Sequence, residues 1–483
     1  MDLLHKVVGT RGKLIFAMVC GSSCYNLSTA GSDRDLFGVY LANYEGPFVG
    51  VKEDFTGHDP DYCIYEVTKY CKLLCKGNPK LIEPLYSERF VWSTPEWEGI
   101  KLIRSISLNQ TTVTQYKQYS RQQIHNFEND RKQNITNSKK LYHGLRLAIE
   151  AHTITLQKPP RIWFEGEDRE YLLKIRNNQV DPAEVLEKIE KYQQLSSELI
   201  HNLPESVDTL TLSKWALPLK KLAFSQNQSL PLKIDLEDPV SPSPILSKYK
   251  DEAEALLKQN NIHGKILFCA PYGKTAILKK YDTEVVDVLC VFAAQTDLIL
   301  DTLHDVPQVL VPANGPSAST DKYRRGLQLV EVEHFFSLVL QGNHVMTESL
   351  YIPPTNLWIS HAFESMIPNS SKCSLPNFFT IGHVMHYVGN TESLIKKQYQ
   401  SDEEKRKFTQ MAQRFLEQAK KVYEGKVPDL ILELNSVKQA DQITTEVNVI
   451  KKNIKQSKLP SKNEEARKYL NDWIVSLRKA LQD

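Results

Sequence analysis

The chain has 483 residues, long enough for several domains of ordinary size. Hydrophobic residues make up 41% and charged residues 24%, which excludes a fibrous or wholly disordered protein and fits a globular one with real cores. A formal net charge of +2 excludes a strongly basic nucleic-acid coat, although a local basic groove remains compatible with it.

The first residues, MDLLHKVVGTRGKLIFAMVCG, hold an apolar core too short to span a bilayer, and no signal-cleavage pattern follows. The expectation is a cytosolic or nuclear protein without a membrane partner. The eight cysteines form no CxxC pair, and most lie in apolar runs. Reduced, buried thiols are expected, in preference to disulfides or a zinc site.

LIFAMV is a short β-leaning run ended by Gly21, and DLFGVYLA is a second one. YEVTKYCKLLCKG has the apolar spacing of a helix and stops at Gly77-Asn78-Pro79. From about 100 to 217 the pattern is mainly helical, with periodic runs at LYHGLRLAIEAHTI and PAEVLEKIEKYQQLSSELI. The stretch 226–248, with Pro231, Pro239, Pro242 and Pro244 among Ser and Asp, is a linker.

The halves on either side of that linker repeat each other. Residues 12–42 align on 264–294 without a gap, with Gly12, Phe16, Gly21 and Asp35 recurring as Gly264, Phe268, Gly273 and Asp287. Residues 65–86 align on 330–351, with Glu66, Gly77, Asn78 and Glu83 recurring as Glu331, Gly342, Asn343 and Glu348. A weaker echo pairs the segment from Lys139 with the one from Arg406. The predicted fold class is α+β: two tandem heads, each a mixed β-sheet with helices, each followed by a helical tail. The boundaries are 1–100 for the first head, 101–225 for its helices, 226–248 for the linker, 249–365 for the second head and 366–483 for its helices. The halves are expected to pair as an intramolecular pseudo-dimer, with self-association of the chain a further option.

The segment GSSCYNLSTAGSDRDLFGVY carries the chemistry. Asp33 and Asp35 are two apart at the start of a strand, so both carboxylates share one face and Arg34 takes the other. Two such like charges are tolerable around a divalent cation. Gly21 permits close backbone approach, and Ser22 with the amides after it, at a predicted helix N-terminus, suits a phosphate. A phosphate cradle beside an acidic pair is the arrangement that two-metal nucleotidyl transfer requires. The bland alternative for the acidic pair alone is a polar strand start.

These motifs resemble the DNA polymerase β-type nucleotidyltransferase superfamily, and within it the RlaP group of predicted RNA-repair nucleotidyltransferases. The likeness rests on GS and SDRDLFGVY, on DYCIYEVTKYCKLLCKGNPKLIEPLY, and on Lys140, His143 and Arg146 in KKLYHGLRLAIEA, and covers about residues 10–217. The resemblance implies that Asp33 and Asp35 hold Mg2+ or Mn2+, and that a third carboxylate completes the site. Asp61 is the choice for it, with Asp59 and Glu66 as competitors. Gly21 and Ser22 would cradle the nucleoside triphosphate (NTP). Lys140, His143 and Arg146 lie on one predicted helix, and would clamp the triphosphate or base. A solvated basic helix face is the alternative reading.

The second half lacks this set. Lys274 stands opposite Ser22, Val285 opposite Asp33 and Gly326 opposite Asp61, which leaves only Asp287. It is expected to be a catalytically dead copy, with Lys274, Lys279 and Lys280 in place of the cradle. Three functions follow: transfer of a nucleoside monophosphate from an NTP to an acceptor, with RNA favoured; the same transfer to a protein or small molecule; or a non-catalytic nucleotide-binding scaffold.

Overall fold

A computed structural model describes residues 2–29, 32, 34–43, 54–135, 137–226, 232–238, 244–272, 287–301, 306–312, 326–428 and 438–482. Asp33, Lys274, Lys279, Lys280 and Val285 lie outside the described residues. The chain separates into two compact units, one holding most of 1–227 and the other most of 228–483.

Each unit carries a five-stranded mixed sheet. In the first unit the strands are β1 (Gly12–Cys20), β2 (Asp35–Ala42), β3 (Asp54–Gly57), β4 (Tyr62–Glu66) and β5 (Trp92–Ser93), in the order β3-β4-β2-β1-β5. β1 and β2 are antiparallel, and β2 and β4 are parallel. Alternation puts Phe37, Val39 and Leu41 against the helices, while Tyr40, Ala42 and Ile64 face Leu4 and Val8 of the first helix.

The second unit has β6 (Gly264–Pro271), β7 (Val288–Ala294), β8 (Val309–Leu310), β9 (Leu327–Glu331) and β10 (Trp358–Ile359), in the order β10-β6-β7-β9-β8. This is the first order read from the other edge. The register repeats as well: Gly12 pairs with Ala42, and Gly264 with Ala294. Both hairpins carry an irregularity at the same place, between Leu14 and Phe16 and between Ile266 and Phe268. The two heads expected from the sequence are therefore two copies of one topology.

The repeat runs through the helical tails too. Glu66 and Glu331 each cap the helix that follows the fourth strand of their sheet, and Asn78 and Asn343 each cap the next one. Gly77 and Gly342 have φ of +71° and +86°, and a Cβ on either would lie under 3 Å from backbone of the next long helix, at Thr112 and His383. Buried Glu83 accepts from Arg146 at 2.7 Å and from Tyr116 at 3.4 Å. Glu348 accepts from Arg414 at 2.8 Å and from Tyr387 at 3.0 Å. Pairing Arg146 with Arg414 moves the third sequence echo by one residue from the Lys139–Arg406 alignment. The last helices match as well. Trp215 donates to the Glu96 carbonyl and Trp473 to the Ala362 carbonyl. Lys220 reaches Thr68 and Arg478 reaches Glu333. The ring stacked on Phe16 is Trp97, and the ring stacked on Phe268 is Phe363.

The duplicated ion pair gives a stability test in the second unit. Side chains of Arg414 and Glu348 are only 8% and 12% exposed, so Arg414→Leu strands a buried carboxylate. A loss of about 3–5 kcal/mol is expected for that variant, with much of it recovered in the double variant Glu348→Leu, Arg414→Leu. Denaturant titration measures both, and equal losses in the two would show that the charge pair is not what matters.

Candidate functional site

β1 ends at Cys20 and the chain turns through a single 3-10 turn, Gly21–Ser23. The longer helix expected here does not form; Leu27 N donates to the Ser22 carbonyl at 3.0 Å and bends the chain away instead. Gly21 has φ of +73°, and a Cβ there would stand 2.7 Å from Asp35 Oδ2. Only glycine lets the turn lie against that carboxylate. Asp35 opens β2 opposite Cys20, on the same strand face as Phe37 and Val39. Arg34 is exposed.

Asp61 immediately precedes β4, and its carbonyl accepts from Leu36 N at 2.8 Å. That bond seats it one strand over from Asp35. Its carboxylate is 62% exposed and meets His58 Nδ1 at 2.8 Å. A cavity of about 710 Å³ opens here, lined by Gly21, Ser22, Asp35 and Asp61, and by Lys140, His143 and Arg146 from the Ser138–Thr155 helix. The favoured candidates within the described chain thus line one space, while the competitors Asp59 and Glu66 do not, Glu66 being the cap of the Val67–Cys75 helix.

Hard carboxylate oxygens such as those of Asp35 and Asp61 suit Mg2+ or Mn2+. Among the described residues no three His, Cys, Asp or Glu side chains stand together as a metal centre. Asp33 is outside that set. The thiols of Cys20 and Cys63 also line the cavity. Burial, reinforced by the Asp35 carboxylate, pushes the Cys20 thiol up to about 12, so it stays protonated and is a poor metal ligand.

The basic helix is not a row of free cations. Lys140 Nζ is held by Asp130 at 2.6 Å and by the Asn126 carbonyl. Arg146 is 4% exposed, is paired with Glu83 and lies 3.8 Å above the Tyr25 ring. Tyr25 in turn donates to Glu83. His143 is pushed down to about 3 by burial first, then by Arg146, Lys139 and Arg176, so its imidazole is neutral at pH 7. Lys80 and Lys139, which no motif in the sequence marks out, line the cavity as well. Lys80 sits one residue past the Gly77-Asn78-Pro79 stop, and its absence from the second copy (Val345) is the signal that could have found it.

The loop between the Gly-Ser turn and β2 is strapped to the Gly166–Arg176 helix. Arg169 donates to the Asn26 carbonyl at 2.8 Å, and Arg176 to the Leu27 carbonyl and to Ser32 Oγ. Asn26 donates to the Phe164 carbonyl at 2.9 Å, and Phe164 N to the Tyr25 carbonyl at 3.2 Å.

With this geometry in place, one comparison bears on the first unit. Residues 4–209 match the RlaP family, described as the RNA repair pathway DNA polymerase beta family. The RlaP match takes in β1 to β5 and every residue of the cavity named above. The N-terminal unit is therefore similar to the polymerase β type, and the RlaP likeness seen in its motifs extends over the helical tail too. No curated protein matches the chain. No helix among the described residues is long and apolar enough to cross a membrane.

Two outcomes follow. Arg176→Ala is expected to speed amide hydrogen exchange across residues 24–32 while the core strands keep their protection; unchanged exchange in that loop would rule out the strap. The folded His143 lies below its unfolded value of 6.5, so the unfolded chain binds the extra proton. Its contribution to stability is complete above pH 6.5 and falls as the pH drops toward about 3. His143→Gln is expected to flatten the fall in denaturation midpoint between those limits, and parallel profiles would contradict it.

Proposed function

We propose that the N-terminal unit is a metal-dependent nucleotidyltransferase that moves a nucleoside monophosphate from an NTP to an acceptor hydroxyl, with RNA as the acceptor. The observation that carries this reading is the contact of Gly21 with Asp35, with Asp61 facing the same cavity. The family description, RNA repair, supports RNA as the acceptor.

Asp35, Asp61 and Asp33 are the carboxylates that would hold Mg2+ or Mn2+. Bound there, such an ion supplies charge neutralisation at the phosphates and lowers the pKa of the attacking hydroxyl. Gly21 keeps the turn against Asp35, beside the place where the phosphates would bind, and Ser22 would offer its hydroxyl to them. The acceptor oxygen bonds to the α-phosphorus, the bond from that phosphorus to the bridging oxygen breaks, and pyrophosphate leaves. The hydroxyl proton departs on the side of Asp61. In the second unit the remaining carboxylate, Asp287, is 8% exposed and accepts from Gly326 N at 2.9 Å, so it serves the backbone. That unit has no catalytic role in this reading.

The test is incubation with labelled NTPs, Mn2+ and either total RNA or a protein lysate. Label is expected in RNA, and to fall by roughly a hundredfold or more in Asp35→Ala and in Asp61→Ala. Label in protein alone would overturn the RNA acceptor. No transfer to either fraction would overturn the enzyme.

A further inference from the structure

We infer that Lys80 and Lys139 grip the triphosphate tail of the incoming nucleotide; the inference rests on the nucleotidyltransferase reading and names the cations that site uses. A nucleoside triphosphate keeps a net negative charge even when a divalent ion is bound to it, and its phosphates need cationic partners. The sequence offers Lys140 and Arg146, but both are already neutralised by carboxylates, Asp130 and Glu83. His143 carries no charge at pH 7.

Lys80 and Lys139 differ from them on every count. Both are exposed and both line the cavity that holds Gly21, Asp35 and Asp61. Among the described residues neither ammonium has an ion-pair partner. Lys80 lies on the Pro79–Tyr86 helix and Lys139 on the Ser138–Thr155 helix. The two lysines therefore reach the space from two different helices.

Lys80 is also misplaced for a purely structural residue. It occupies the first turn of the Pro79–Tyr86 helix, where the peptide dipoles present their positive end and disfavour a cation. An anion seated at that end would reverse the sign of the effect. The second copy is informative here. The alignment that superposes Asn78 on Asn343 and Glu83 on Glu348 puts Val345 opposite Lys80. The capping Asn and the buried Glu are kept in both copies, while the lysine is found only where the acidic set is found. Lys139 falls opposite Lys407 in the register set by Arg146 and Arg414, so this comparison speaks for Lys80 alone.

The experiment is calorimetric titration of the full chain with ATP, AMP and inorganic tripolyphosphate, each with Mg2+. The wild-type chain is expected to bind ATP and tripolyphosphate well above AMP. Lys80→Ala should weaken both triphosphates by roughly tenfold or more and leave AMP unchanged. Lys139→Ala should act in the same direction, the double variant more strongly than either, and Lys80→Arg should restore binding. A wild-type preference for triphosphates that survives intact in the double variant overturns the lysine assignment and leaves the nucleotidyltransferase standing. A wild-type chain with no such preference overturns both. Loss of AMP binding in step with ATP would mark a general fold defect and count against the assignment.

Discussion

The buried ion pair of Glu83 and Arg146 is the constraint on which the N-terminal unit is built. Their side chains are 6% and 5% exposed, and neither charge tolerates losing the other. Tyr25 and Tyr116 complete the cluster around the carboxylate. Four segments are thereby fixed against one another: the Pro79–Tyr86 helix, the Gln110–Lys132 helix, the Ser138–Thr155 helix and the turn after β1. The Gly-Ser turn is thus tied to the helical tail by a buried charge cluster. Arg146 borders the cavity, yet its guanidinium is committed to the protein.

The second copy separates scaffold from function. Glu348, Arg414 and Tyr387 reproduce the carboxylate, guanidinium and phenol. The position aligned with Tyr25 is Ile277, which has no hydroxyl to offer the carboxylate. What the two copies share is the arrangement that packs a helical tail on a sheet. In sequence, what distinguishes the first is Tyr25, together with the acidic set and Lys80.

Much of this was legible from residues close together in the chain. The short β-leaning apolar runs LIFAMV and DLFGVYLA marked β1 and β2, and the Gly77-Asn78-Pro79 stop marked a helix end, because these signals are local. The gap-free repeat implied that the two heads share one topology, while the register itself came only from the structure. Asp35 and Asp61 were picked out by type and spacing, and both line one cavity. The fate of Lys140 was not, because Asp130 lies on the preceding helix and only packing brings the two together. Periodicity shows a basic face but not which acids oppose it. The match of Trp215 with Trp473 and of Lys220 with Arg478 was hidden by connections of different length between the tails. The helix predicted after Gly21 failed for a local reason: the Ser22 carbonyl is taken by Leu27, which closes the turn at once.

The return of each last helix to its own sheet has a consequence for synthesis on the ribosome. Lys220 is 3% exposed and bonds Thr68 at the opening of the helix after β4, more than a hundred residues upstream. The first sheet is therefore translated long before the residue that closes over it. Until about residue 225 has cleared the exit tunnel, the emerging segment lacks its final layer, and apolar surface beneath Trp215 stays open to chaperones. The repeat imposes the same delay a second time, ending only near Arg478.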